Sequence, residues 1–390
     1  MQRKFAPLLV FFIERSYQER SSTLTHRSDV HIQKIQAAVL RKKGGPLKIE
    51  SLEMEGPRDD EVLVRIVATG ICHTDIDYCD DWDEMDGPVV LGHEGGGVVE
   101  QVGKLVNGVK RGDHVVLSYQ SCGRCRQCLR GRPTACRRFY EANFGFKRLD
   151  GSNALWRSGV HGHFFGQSSF ATHSLVTERN LVKVPKDLRL DILSPLGCGI
   201  QTGAGTVINT LQVPKGAGIA IFGTGAVGLA AVMAAHIVGA NPIIGVDHNP
   251  MRLKLALELG ATHVIDNRHA GVVSGISDVT GSGIDYVLEI TGNPDMLQLA
   301  IDALNPHGTV ALFTGESGPD YLPEGRKTVD VVEGDAVPQL FIPKLISLYR
   351  EGLLPFDRLV KFYGFSEINR AIVDARRGDT IKPVLRVSDE

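Results

Sequence analysis

The chain has 390 residues, enough for two domains, and its 43% hydrophobic content supplies an ordinary core. Its formal net charge of −2 excludes the strong positive field expected of a nucleic-acid or membrane-surface partner, and no apolar run reaches the roughly 18 residues that span a bilayer. Seven cysteines without a convincing secretory signal are typical of metal ligands in a reducing compartment, so we expect a cytoplasmic protein without a disulfide framework.

Residues 1–34 read as an N-terminal extension. They mix basic and acidic residues and contain one short apolar stretch, Pro7–Ile13, without a small-residue cleavage site after it. A secretory signal and an organellar transit peptide are the alternatives. Because strand-like patterning begins only at Ile35, the favoured interpretation is a disordered upstream extension or a mis-assigned start codon.

Residues 35–198 are predicted to form a mostly β domain. Short strand-like runs lie between turn residues such as Asn107-Gly108, at the spacing of a compact β fold. The clearest runs are Val62–Val67, Gly97–Val102 and His114–Leu117. We expect residues 329–390 to return to this domain, through a helix over Gln339–Tyr349 and a final strand over Lys382–Val387.

Residues 199–328 alternate between apolar strands and helices. The runs Gly218–Phe222 and Pro242–Val246 are apolar throughout, as in strands buried on both faces of a parallel sheet. Each is followed by a helical segment, which predicts a doubly wound α/β domain. Further predicted strands are His263–Ile265, Asp285–Ile290 and Thr309–Phe313, and the predicted helices are Leu196–Leu211, Leu229–Val238 and Pro250–Leu259.

The segment G-T-G-A-V-G predicts a dinucleotide site, because Gly223, Gly225 and Gly228 follow a buried strand and open a helix. These glycines allow a tight turn, backbone approach to a pyrophosphate, and close helix packing. Asp247 ends the next strand, where its carboxylate would bind ribose hydroxyls and repel a 2′-phosphate, so NAD is predicted over NADP. Arg252 is a further candidate beside the ribose. An unrelated glycine turn and a helix-capping role for Asp247 are the alternatives.

Four cysteines predict a structural metal site. Cys122, Cys125, Cys128 and Cys136 lie within 15 residues, so one loop can surround one ion. Four thiolates are typical of tetrahedral Zn²⁺ with no open position, and the neighbouring arginines would offset their charge. Buried thiols, a disulfide pair and an iron–sulfur cluster are the alternatives.

Cys72, His93 and Cys198 are candidates for a second, catalytic zinc site. They lie far apart in the sequence, in the segments C-H-T-D, G-H-E and G-C-G. Two thiolates and an imidazole with an open fourth position would form a Lewis-acid centre. Taken singly, each residue also has a structural interpretation, as a core thiol, a hydrogen-bonded buried histidine or a small residue in a glycine-rich turn.

Taken together, the motifs resemble the zinc-dependent medium-chain alcohol dehydrogenases, and more narrowly their aryl- or benzyl-alcohol branch. The resemblance runs from about Ile35 to Val387. It is carried by G-I-C-H-T-D, G-H-E-G-G-G-V-V, the four-cysteine loop, G-C-G-I-Q-T-G and G-T-G-A-V-G. The narrower resemblance rests on V-V-E-G-D-A-V-P-Q and F-I-P-K-L. It implies a GroES-like, mostly β catalytic domain and a Rossmann cofactor domain.

The resemblance implies roles around the predicted catalytic zinc. Asp75 would orient His93 through its other ring nitrogen. Glu94 would lie behind the metal and ligate it transiently. Thr74 would hydrogen-bond the substrate oxygen and pass its proton outward. Asp77 stands where well-known members have a relay histidine, so the outer end of the relay is left to a carboxylate, ribose hydroxyls or water.

The resemblance also implies cofactor and substrate contacts. His73 would approach the pyrophosphate, with Lys382 nearby, and Thr202 would pack against the nicotinamide. Phe164 would line the substrate pocket. His161 and His163 are interpreted as surface or structural histidines.

The implied activity is oxidation of a primary aromatic or allylic alcohol to the aldehyde, with two Zn²⁺ per chain and hydride transfer to NAD. A homodimer or homotetramer acting on a small molecule is expected. The alternatives on the same fold are a glutathione-dependent formaldehyde dehydrogenase and an aliphatic alcohol dehydrogenase. A non-catalytic NAD-binding structural protein is a more distant alternative.

Overall fold

The computed structural model describes residues 32–82, 87–313 and 322–389. Residues 1–31, which make up nearly all of the predicted extension, lie outside this range. The first strand, β1, spans Ile32–Leu40 and so begins three residues before the predicted start of ordered patterning. Its last four residues are buried. This buried, apolar end of the strand is the part that the sequence pattern predicts.

Two sheets make up the first, mostly β domain. A three-stranded sheet has the order β2-β1-β4, and a seven-stranded sheet has the order β15-β16-β3-β5-β6-β8 with β7 also pairing to β3. The remaining strands are β2 (Lys48–Glu55), β3 (Glu61–Gly70), β4 (Val89–Val90), β5 (Glu94–Val102), β6 (His114–Leu117), β7 (His173–Thr177), β8 (Leu181–Lys183), β15 (Val360–Gly364) and β16 (Lys382–Arg386). The helices are α1 (His73–Asp81), α2 (Arg126–Leu129), α3 (Phe139–Phe144), α4 (Leu190–Leu193), α5 (Gly199–Gly205), α10 (Pro338–Arg350) and α11 (Ile368–Arg376).

Strand β3 is the centre of the larger sheet, and all but one of its ten residues are buried. It pairs antiparallel with β5, β7 and β16. Strand β16 comes last among the described strands, and its pairing with β3 places the C-terminal segment in the larger sheet. Strands β3 and β5 bring Gly70 opposite Glu94, and this end of the pair lies beside the candidate metal ligands.

The second domain contains a six-stranded parallel sheet of order β11-β10-β9-β12-β13-β14. This corresponds to the order 3-2-1-4-5-6 of the Rossmann fold, with the crevice at the carboxyl end of β9. The elements are β9 (Ile219–Phe222), α6 (Ala226–Val238), β10 (Ile243–Asp247), α7 (Pro250–Glu258), β11 (His263–Asp266), α8 (Val272–Thr280), β12 (Ile284–Glu289), α9 (Pro294–Asp302), β13 (Leu304–Leu312) and β14 (Lys327–Asp330). The α/β fold class is therefore confirmed.

Two sequence predictions differ from the structure in detail. The predicted continuous helix Leu196–Leu211 is wrong, because Cys198 has φ −143° and ψ −84°, so that α5 starts only after it. The helical path then widens into a π-helical turn over Thr206–Thr210. Strand β14 crosses the predicted domain boundary at residue 328 and belongs to the parallel sheet. Within the described ranges, no helix is long and apolar enough to cross a membrane.

Candidate active site

Three side chains suited to bind one metal ion meet where α1, β5 and α5 begin. Cys72 immediately precedes α1, His93 precedes β5, and Cys198 precedes α5. One ligand atom from each lies within 4.8 Å of the others. His93 and Cys198 are buried, whereas Cys72 is partly exposed. Two thiols and an imidazole at this separation match a zinc site that keeps one position open.

Asp75 fixes the orientation of the His93 ring. Its Oδ1 atom lies 3.0 Å from His93 Nδ1, and both side chains are fully buried. The same carboxylate accepts hydrogen bonds from the backbone N–H groups of Cys72 at 2.9 Å and Gly92 at 3.0 Å. Burial alone would lower the pKa of His93, but the charge of Asp75 and its hydrogen bond raise it. Among the described residues nothing bonds the buried His93 Nε2, so this nitrogen is left for a metal.

A buried ion pair lies behind the three ligands. Lys382 Nζ lies 2.8 Å and 3.0 Å from the two carboxylate oxygens of Glu94, and also donates to the carbonyl of Ile71 at 3.3 Å. The Gly199 N–H donates to Glu94 at 3.0 Å. Burial would lower the pKa of Lys382, but the charge of Glu94 raises it. The pair ties the residue before Cys72 to the start of α5. A cofactor contact of Lys382 remains a prediction.

Helix α1 carries the predicted proton-transfer residues. The hydroxyl of Thr74 lies 3.9 Å from Cys72 Sγ, next to the candidate metal site. His73 and Asp77 lie one turn apart with side chains 83% and 61% exposed, and 3.4 Å separates His73 Nε2 from Asp77 Oδ1. The residue that replaces the usual relay histidine therefore contacts His73 at the solvent-exposed side of the helix. The proton-transfer roles remain predictions.

Aromatic rings enclose one side of His93. Phe165 stacks on its imidazole with ring centroids 4.2 Å apart, and Phe164 meets it edge-on at 5.4 Å. Phe164 also stacks on Phe146 at 5.3 Å and contacts Tyr78 at 5.0 Å. Phe164 is among the residues predicted from the sequence and Phe165 is not, although both belong to the same H-F-F-G segment. Phe164 and Phe165 are almost wholly buried, so they form an apolar wall that keeps water from the imidazole.

The loop carrying these two rings has a strained backbone. His163, Phe165 and Ser168 have φ angles of 64°, 52° and 51°, in the left-handed region that L-residues disfavour. Ser168 Oγ accepts a hydrogen bond from the Phe164 N–H at 2.9 Å and donates to the Val90 carbonyl at 2.7 Å. Such bonds hold the loop in a conformation that the chain would not adopt alone, and strain of this kind is frequent at functional sites.

Glu333 places a buried carboxylate beside the third candidate ligand. Its Oε1 lies 3.5 Å from Cys198 Sγ, and its Oε2 accepts hydrogen bonds from Gln201 at 3.0 Å and Thr202 at 3.4 Å. Burial raises the pKa of Glu333 to about 7. Thr202, predicted to face the nicotinamide, thus shares a partner with Cys198. The E-G-D segment indicates a branch of the resembling family but does not predict this contact, since no local pattern indicates a contact across 135 residues.

The four-cysteine loop forms the second metal-binding cluster. The sulfur atoms of Cys122, Cys125, Cys128 and Cys136 all lie within 4.8 Å of one another. All seven cysteines lie in the described ranges and are free, so none forms a disulfide. The backbone N–H of Cys128 lowers the pKa of the Cys125 thiol to about 6, which favours the thiolate that binds metal. Four ligands leave no open position, as expected of a structural site.

The glycine-rich turn after β9 has the geometry that a dinucleotide site requires. Gly223 has φ +97°, and a Cβ on Gly228 would lie 1.9 Å from the carbonyl oxygen of Gly223. These two positions therefore need glycine for the turn and for the helix packing. A Cβ on Gly225 would meet no atom within 4 Å, so the space above it is open to a pyrophosphate at the N-terminus of α6.

Asp247 lies at the carboxyl end of β10 and supports this turn. Its Oδ2 accepts hydrogen bonds from the Thr224 N–H at 2.7 Å and the Thr224 hydroxyl at 2.9 Å. Its Oδ1 accepts from the Asn249 N–H at 2.9 Å. Asn249 itself caps α7 through its side chain, so Asp247 is not the helix cap. Arg252 lies in the first turn of α7, and its buried Nε has no partner among the described residues. Ribose contacts of either residue remain predictions.

The comparisons with known proteins agree with this geometry. One family model, the alcohol dehydrogenase GroES-like domain, matches residues 58–186, and another, zinc-binding dehydrogenase, matches residues 226–330. The chain is 46% identical to geraniol dehydrogenase of Castellaniella defragrans over 363 residues, which cover 90% of this chain and 97% of that relative. This chain belongs to the zinc-dependent medium-chain alcohol dehydrogenase family. The family predicted from the motifs is confirmed, and the protein is an alcohol dehydrogenase.

Solved structures show the same relationship. The benzyl alcohol dehydrogenase of Acinetobacter calcoaceticus is 45% identical, with a TM-score of 0.87 over 91% of this chain and 100% of that one. An alcohol dehydrogenase zinc-binding domain protein of Burkholderia ambifaria is 49% identical, with a TM-score of 0.88 over 92% and 100%. The alcohol dehydrogenase therefore shares its two-domain architecture with these proteins.

Proposed function

We propose that this alcohol dehydrogenase oxidises a primary aromatic or allylic alcohol to the aldehyde, with zinc at Cys72, His93 and Cys198 and NAD as hydride acceptor. The observation that carries the proposal is the buried His93 Nε2, which has no partner among the described residues and lies within 4.8 Å of two thiols. A second zinc ion at the four-cysteine loop would be structural. Two zinc ions per chain follow from the two clusters.

The chain's own residues would act around a Lewis acid. Zinc bound at this site supplies a positive charge that lowers the pKa of an alcohol oxygen. Asp75 holds the His93 ring so that Nε2 faces the ligand cluster. Thr74 lies next to Cys72 and is positioned to take part in removing the alcohol proton. The stacked ring of Phe165 keeps water from this side of the imidazole.

The crevice at the carboxyl end of β9 is the proposed binding site for NAD. A bound NAD would supply the nicotinamide ring as acceptor for the hydride of the alcohol carbon. Open space above Gly225 and the N-terminus of α6 suit a pyrophosphate, and Asp247 places a negative charge at the end of β10 where a 2′-phosphate would be repelled. We expect kcat/KM for NAD to exceed that for NADP by at least about 100-fold, which corresponds to about 2.7 kcal/mol. Equal use of both cofactors would refute the role given to Asp247.

The substrate class rests on two kinds of support. Phe164 and Phe165 enclose His93 in aromatic surface, and the similar proteins include a geraniol dehydrogenase and a benzyl alcohol dehydrogenase. The test compares kcat/KM for benzyl alcohol, geraniol, ethanol and S-hydroxymethylglutathione with purified enzyme and NAD. Benzyl alcohol and geraniol should be preferred. Preference for ethanol or for the glutathione adduct would favour the aliphatic or the glutathione-dependent alternative.

A homodimer or homotetramer is proposed from the family resemblance. Light scattering at enzyme concentrations used for activity measures the mass directly. A mass of one chain under conditions of full turnover would refute this proposal without affecting the zinc site.

A further inference from the structure

Residues Glu333, Gly334 and Asp335 form one left-handed turn. Their φ angles are 51°, 61° and 47°. The left-handed conformation costs an L-residue about 1–2 kcal/mol of conformational energy, and of the three residues only Gly334 is free of this cost. Strained residues on both sides of Gly334 persist only where the surrounding structure holds them in place. Contacts with other parts of the fold must therefore stabilise this turn.

Close packing against α5 holds the turn. A Cβ on Gly334 would lie 2.7 Å from the carbonyl oxygen of Thr202 and 2.8 Å from that of Gln201. A Cβ on Gly205 would lie 2.5 Å from the carbonyl oxygen of Gly334. Glycine on both sides lets the two backbones touch, so the side chain of Glu333 lies against the first turn of α5 with only 9% of the residue exposed.

The Glu333 carboxylate reaches three residues at the start of α5, at the distances given above for Cys198, Gln201 and Thr202. When a metal binds Cys198, the sulfur becomes a thiolate and stops donating a proton. The bonds from Gln201 and Thr202 to Oε2 do not depend on the metal. They fix the first turn of α5, and with it the backbone of Cys198, in either state.

We propose that Glu333 is a positioning residue. It anchors the first turn of α5, which directly follows Cys198, and so fixes Cys198 as a metal ligand. The inference rests on the proposed catalytic zinc site. Cys198 precedes the helix with a non-helical backbone, so its position depends on what holds the helix start. Removing partners that orient a metal ligand typically lowers metal affinity about 10–100-fold.

Metal competition with a chelator tests the proposal, using the full chain loaded with Zn²⁺ or Co²⁺. In Glu333→Ala, affinity at one of the two sites should fall about 10–100-fold while the other is unchanged. Glu333→Gln keeps an oxygen for Gln201 and Thr202 and directs an N–H at Cys198. It should hold metal close to the wild-type value and shift the thiolate-to-cobalt charge-transfer band.

Asp335→Ala is the matched control. Asp335 belongs to the same turn and accepts hydrogen bonds from Thr134 at 3.2 Å and Thr210 at 2.9 Å, without contacting a candidate ligand. Its metal affinity and cobalt spectrum should match the wild type. A loss equal to that of Glu333→Ala would show that the turn, and not the carboxylate, is responsible.

Two results would overturn the inference directly. One is wild-type metal affinity in Glu333→Ala, and the other is an unshifted cobalt band in Glu333→Gln. The second decides the question if Glu333→Ala fails to fold, because Gln preserves the size of the side chain. A wild-type chain that binds only one metal would instead refute the proposed catalytic zinc, and with it the positioning role.

Discussion

Replacing Lys382 by Met is expected to destabilise the protein strongly, and more than removing both charges of the buried ion pair. The side chains of Lys382 and Glu94 are 2% and 0% exposed, and Nζ contacts both carboxylate oxygens. In Lys382→Met, Glu94 keeps the bond from the Gly199 N–H but loses its counter-charge. Breaking such a pair from one side costs about 3–5 kcal/mol. An unfolding entropy of about 2.1 cal/mol/K per residue gives roughly 0.8 kcal/mol per degree for 390 residues, so the midpoint of thermal unfolding should fall by roughly 4–6 °C.

The double variant Lys382→Met/Glu94→Gln separates the buried charge from the lost packing. Gln retains an acceptor for Gly199 and leaves no buried charge, so the double variant should recover at least half of the loss in midpoint. Lys254→Met is the control, since Lys254 is 80% exposed and its contact with Glu258 spans 4.0 Å; a small shift is expected. Midpoints are measured on zinc-loaded protein by calorimetry. A shift below about 2 °C in Lys382→Met would refute the reasoning, and so would a double variant at least as unstable as Lys382→Met alone.

Three further predictions concern other parts of the molecule. Asp75→Asn removes the charge facing His93, so zinc affinity in chelator competition should fall about 10–100-fold, and unchanged affinity would exclude the orienting role. Burial lowers the pKa of His163 to about 3, and its Nε2 accepts the Ala154 N–H at 3.2 Å. Because the unfolded chain takes up a proton near pH 6.5 that the native ring refuses, stability should decrease as pH falls from about 6.5 towards 3. His163→Gln should flatten that decrease in unfolding midpoints, and an identical slope would contradict it. Cys125→Ser should lose one zinc per chain by elemental analysis, and retention of both ions would refute a structural site at the loop.

Sequence patterns predicted the features that depend only on residues close together in the chain. The spacing of four cysteines and the glycines between β9 and α6 were sufficient because each motif folds within one short segment. The alternation of strands and helices in residues 199–328 could be predicted because strands of a parallel sheet buried on both faces are apolar throughout. The predicted helix over Leu196–Leu211 failed at Cys198, whose backbone is set by contacts at the site and not by helix propensity.

Contacts between distant segments could not be predicted from patterns. Glu333 reaches Cys198 across 135 residues, and Lys382 reaches Glu94 across 288. Each is unremarkable in its own segment, and only the packing of α5 or the pairing of β16 with β3 brings the partners together. Phe165 is a different case, since it adjoins the predicted Phe164 and only the left-handed loop decides that its ring stacks on His93.

Zinc content per chain, measured together with turnover, tests the central claim most directly. Wild-type enzyme purified without added metal should contain two zinc ions, and Cys198→Ala should contain one and show no turnover. Cys79→Ala is the matched control, because Cys79 is a buried cysteine outside both clusters, and it should retain both ions and activity. Two zinc ions with full activity in Cys198→Ala would contradict the account.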